Sequence, residues 1–66
     1  MCDIDAYLLR NGSEEKILEN VERVEETRDG IRLQNIFGEE KLVKAKMVLY
    51  DSGAKKMVFA DMQWGP

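Results

Sequence analysis

Ser13-Glu14-Glu15-Lys16-Ile17-Leu18-Glu19-Asn20-Val21-Glu22-Arg23-Val24-Glu25-Glu26-Thr27-Arg28 is the stretch that decides the fold. Read as a helix, Ser13 caps its start, Glu14 and Glu15 fill the first turn, and Ile17, Leu18, Val21 and Val24 share one face. Asp29-Gly30 then stops it. Read as strands, Glu15 to Leu18 leads into a bend near Glu19-Asn20 and a second strand from Val21 to Thr27. In that strand Glu22, Val24 and Glu26 alternate with Val21, Arg23 and Glu25, and Asp29-Gly30 becomes a type I′ hairpin turn. The local pattern leans to helix and leaves both readings open.

The flanking segments speak for strands. Ile4, Ala6 and Leu8 alternate with Asp3, Asp5 and Tyr7, which predicts a first strand over Ile4 to Leu9. Asn11-Gly12 is a strong hairpin signal, so that strand folds back directly onto the next segment of the chain. Ile31 and Leu33 alternate with Arg32 and Gln34, and Phe37-Gly38-Glu39-Glu40 breaks the run. Lys41 to Tyr50 mixes alternating and continuous apolar character, Asp51-Ser52-Gly53 turns, and Lys55 to Met62 alternates again. Short strands between turns predict a small antiparallel barrel or meander. Trp64, the only tryptophan, is expected to pack on the body or on a partner.

Sixty-six residues make one domain, 1–66, with a marginal core. One cysteine and no histidine exclude an internal disulfide and a structural zinc site, which leaves idealised packing or self-association as the source of stability. The longest apolar runs, such as Met47 to Tyr50, are far short of a membrane span, so the expected location is the cytoplasm, where a lone thiol stays reduced. Net charge is −3, with nine acids against four bases in residues 1–30 and four against six in 31–66. An acidic chain argues against strong phosphate-backbone binding.

Without histidine no Ser-His-Asp or Cys-His arrangement is possible, and the five glycines form no phosphate loop, so the chain does not read as an enzyme. Cys2 stands apart. Removal of the initiator methionine makes it the amino terminus, where its α-amine and thiol sit on adjacent carbons and close a five-membered ring on a metal. Two chains about a two-fold axis offer an N₂S₂ set, which suits square-planar Ni(II) or Cu(II). The alternative for Cys2 is a small inert hydrophobe at the head of the first strand. Met47, Met57 and Met62 read as core filling. Lys41, Lys44, Lys46, Lys55 and Lys56 read as a solvated strand face, or, with Tyr7, Tyr50, Phe59 and Trp64, as a small RNA-binding patch.

The chain resembles the CooT family of small nickel-binding proteins over essentially its whole length. The likeness rests on the Met1-Cys2 start, Asn20-Val21-Glu22-Arg23-Val24, Asp29-Gly30 before Ile31-Arg32-Leu33, the Ile36-Phe37-Gly38-Glu39-Glu40 break and the hairpin around Asp51-Ser52-Gly53. The resemblance implies an all-β homodimer that binds nickel at its interface through paired Cys2 residues. It further implies a role as nickel chaperone for a nickel enzyme such as carbon monoxide dehydrogenase. It also moves residues 14–28 to strand, against the local helical pattern. Only Cys2 matches a functional position of the family.

Overall fold

The computed structural model describes residues 3–61. They form six strands: β1 Ile4–Arg10, β2 Ser13–Thr27, β3 Gly30–Asn35, β4 Glu40–Val43, β5 Ala45–Asp51 and β6 Lys56–Asp61. All six join one sheet in the order β4-β3-β2-β1-β6-β5. The all-β expectation holds, and residues 13–27 are strand rather than helix.

The helical appearance of that segment has a structural cause. Glu15 pairs with Leu8, Leu18 with Ala6, and Val21 with Ile4, and the register shifts between each of these pairings and the next. A further shift separates Val21 from Arg23, before Val24 pairs with Leu33. Each bulge inserts one residue, so inward-facing positions recur every third residue instead of every second. Leu18 and Val21 are buried, and Asn20 takes a left-handed φ of 54° between them. Asparagine tolerates that conformation better than most residues. The bulges also bend β2, whose first half pairs with β1 and whose second half pairs with β3.

The bend curls the whole sheet. Its two edge strands, β4 and β5, are consecutive in the chain and joined by Lys44 alone. The opposite edges must therefore approach at that residue, and the sheet closes at one end into a half-barrel. Its concave side holds the core, built on Ala6, Leu18, Leu33, Val43, Met57 and Phe59. Leu33 and Phe59 are fully buried.

The first two hairpin turns differ in kind. Asn11 and Gly12 both take positive φ, 54° and 80°, as a type I′ hairpin requires. The next hairpin is centred on Arg28-Asp29, because Thr27 pairs with Gly30. Neither Arg28 nor Asp29 has positive φ, so it is not the type I′ turn expected at Asp29-Gly30. The Thr27 hydroxyl ties it instead, donating to the Gly30 carbonyl at 2.8 Å and accepting from the Asp29 amide at 3.3 Å. The Lys41–Tyr50 run splits at Lys44, and β6 pairs parallel to β1, a ladder absent from a simple antiparallel meander.

Candidate metal centre and charged groove

β1 lies between β2 and β6 and carries the N-terminal segment at its head. That head is tied down from both sides. The Asp5 amide donates to the Lys55 carbonyl at 3.0 Å, and the Asp5 carboxylate accepts from the Asn20 amide at 3.1 Å. Lys16 lies 3.6 Å from the same carboxylate. One residue short of Ile4, the Asp3 carboxylate accepts from the Lys55 ammonium at 3.0 Å. Cys2, bonded to Asp3, lies outside the described residues, as do Met62 and Trp64. Among the described residues no three His, Cys, Asp or Glu side chains gather into a metal-holding group.

The hydrogen bond from Lys55 holds the Asp3 carboxyl below its ordinary value. A carboxyl depressed on folding favours the native state above its unfolded pKa, and the contribution disappears as pH falls through the lowered value. The tether is thus intact at neutral pH and releases only on acidification below the ordinary aspartate range. Following the Asp3 carboxyl by NMR is expected to give a midpoint under the ordinary aspartate value. Lys55→Gln moves it upward; an unchanged midpoint in that variant would remove Lys55 as the cause.

The five lysines divide between two places. Lys55 is held by Asp3, and Lys56 reaches Glu14 at 2.6 Å while lying 5.3 Å from the Tyr7 ring centroid. The Glu14 hydrogen bond raises the Lys56 pKa, with Coulombic help from Glu14 and Tyr7. Lys41, Lys44 and Lys46 line a groove of about 1060 Å³ on the concave side. Arg10 and Arg28 join them there, and the sequence reading missed both because they come from a strand end and a hairpin tip. Of the described aromatics, Phe59 is core and Tyr50 is exposed on β5, and none of them lines the groove. Met57 is core as expected, whereas Met47 is 41% exposed on the edge strand.

Asn35 is a second feature the sequence did not announce. It is a buried polar residue in the fold, 1% exposed. Its side-chain oxygen accepts from the Phe37 and Glu39 amides at 3.1 and 2.8 Å, and its amide nitrogen donates to the Glu39 carboxylate at 2.6 Å. Every polar atom it buries is satisfied, which fixes the turn carrying Ile36 and Phe37 between β3 and β4.

No curated protein matches the chain. Among solved structures, that of a candidate CooT from Carboxydothermus hydrogenoformans superposes with a TM-score of 0.87 at 29% identity, covering 94% of this chain and 100% of that one. The sequence pattern of the family CO dehydrogenase accessory protein CooT matches residues 1–60. That match spans all six strands but for the last residue of β6, and the chain belongs to the CooT family of CO dehydrogenase accessory proteins.

Proposed function

We propose that two copies of this chain hold one Ni(II) between their Cys2 thiolates and pass it to a nickel enzyme, for which the family name points to CO dehydrogenase. The observation that carries this reading is the anchored head of β1. Asp3 is held by Lys55, in the turn before β6, and Asp5 by Lys55 and by Asn20 of β2, so the sole thiol of the chain is one residue from an anchored position in the sequence. Two such heads brought together by a two-fold axis would bring their anchored Asp3 residues, and the cysteines bonded to them, to one seam.

The donor chemistry suits the ion. Each chain supplies a thiolate and, once Met1 is removed, an α-amine on the neighbouring carbon. Two chains complete an N₂S₂ square, a geometry nickel accepts and zinc does not favour. The Asp3 carboxylate is engaged by Lys55 and is not needed as a ligand. The acidic N-terminal half attracts cations, and a thiolate pair at the seam of a homodimer can exchange its metal with a client. Nickel is the cargo here, and the reducing cytoplasm keeps the thiols free to carry it.

Nickel titration of reduced protein tests this directly. A thiolate-to-nickel charge-transfer band is expected to saturate at half an equivalent per chain. Saturation at one full equivalent would mean that each chain binds alone, and no band at all would end the reading. The RNA alternative draws less support, since its lysines are divided between the groove and two carboxylate partners, and Tyr7, Tyr50 and Phe59 are not among the groove's lining residues.

A further inference from the structure

We propose that the concave groove is a docking site for an extended, acidic, aliphatic-rich segment of another protein. Charge is the first argument. Among the described residues, four cationic side chains lie within 4.0 Å of a carboxylate: Lys16, Arg32, Lys55 and Lys56. None of them lines the groove. Arg10, Arg28, Lys41, Lys44 and Lys46 do line it, and none has such a partner among the described residues. Among the described side chains Glu15, Glu26 and Asp29 oppose them, so these lining residues carry an excess of two positive charges in a chain whose net charge is −3. Half of the chain's ten cations gather on one concave surface, and that surface attracts an anionic partner.

The floor decides what kind of anion. Leu8, Ile17, Val24, Ile31 and Met47 give it an aliphatic lining, and Val24 and Met47 are each 41% exposed. Among the described residues no aromatic side chain lines it, so nucleic-acid bases find none of these to stack on. Aliphatic side chains flanked by carboxylates match both the floor and the rim.

The walls decide its conformation. β4 and β5 are the sheet's two edges, and both border the groove through Leu42, Val43, Ala45 and Met47. On β5, Met47, Val48, Leu49 and Tyr50 are between 41% and 57% exposed, in a strand with one side of its main chain unpaired among the described residues. Natural edge strands of this kind are normally blunted or covered. An extended segment adds main-chain hydrogen bonds along β5 while its side chains reach the floor. The proposal does not depend on nickel.

Fluorescence anisotropy of metal-free, full-length protein provides the test. The probe is a labelled peptide of a dozen residues alternating Glu and Val, and the controls are the Lys–Val counterpart and an oligouridylate. The Glu–Val peptide is expected to bind at low salt and to weaken as salt rises. The variant K41E/K44E/K46E is expected to bind it about tenfold more weakly. R10E/R28E supplies the same comparison if the triple variant loses its strand circular dichroism. No binding, equal binding of the Lys–Val peptide, or equal binding by both charge-reversed variants would overturn the proposal. Tighter oligouridylate binding lost in the same variants would reassign the groove to nucleic acid. Self-association abolished by the same changes would reassign it to a second copy, and peptide binding only after deletion of residues 62–66 would reassign it to the chain's own end.

Discussion

Cys2→Ser is expected to lower nickel affinity on the order of a thousandfold or more and to leave the unfolding midpoint and the oligomeric state unchanged. The size follows from ligand arithmetic. Four-ligand protein sites bind structural zinc with about 10–16 kcal/mol, so each ligand carries a few kcal/mol, and a shared site loses two at once. Serine is isosteric, but its hydroxyl does not ionise near neutral pH and is too hard a donor for this site. Stability is expected to hold because the core cluster of the described residues runs from Ala6 to Phe59 on the strands themselves, and serine replaces cysteine almost isosterically. Isothermal titration with nickel checks the first half, and urea unfolding with sedimentation equilibrium checks the second. Retained affinity would place the metal elsewhere. Lost affinity with a collapsed fold would make Cys2 structural.

Much of this architecture is legible residue by residue, and the illegible parts share a cause. β1 and β3 show period-two alternation because both are regular strands with one face in the core. Asn11-Gly12 is legible because its turn needs positive φ at two successive residues. β2 misleads because bulges space its inward residues by three, and a spacing of three is what a helix face shows. Nothing local marks Lys44 as the break between β4 and β5: Val43 and Ala45 are both buried, and no glycine or proline punctuates them. The parallel pairing of β6 with β1 joins residues some fifty apart, beyond any local pattern. Cys2 is conspicuous as the single cysteine of a histidine-free chain. Among the groove cations, Lys41, Lys44 and Lys46 stand out as neighbours in the chain, but Arg10 and Arg28 do not, because they belong to other elements and meet the lysines only when the sheet curls.

That curl depends on Gly30, and Gly30→Ala is expected to destabilise the protein by about 3 kcal/mol. Gly30 opens β3 with φ of 145°, a region L residues rarely adopt. Holding a side chain there costs on the order of 1–3 kcal/mol. A Cβ at this position would also stand 2.6 Å from the Val43 carbonyl oxygen, and that oxygen is backbone and cannot rotate away. To make room, the end of β4 must move off β3 where Val43 pairs with Ile31, and Lys44 and the start of β5 must follow. The closed end of the half-barrel would loosen, and with it the wall of the groove. Gly12→Ala separates the two contributions: Gly12 has φ of 80° but nothing within 4 Å of its added Cβ, so it carries the conformational cost alone. Loss of about 3 kcal/mol in so small a domain consumes most of its stability, and the thermal midpoint is expected to drop by about 15 °C. If urea unfolding instead gives the two variants the same loss, the Val43 contact carries no weight and β4 closes the sheet for another reason.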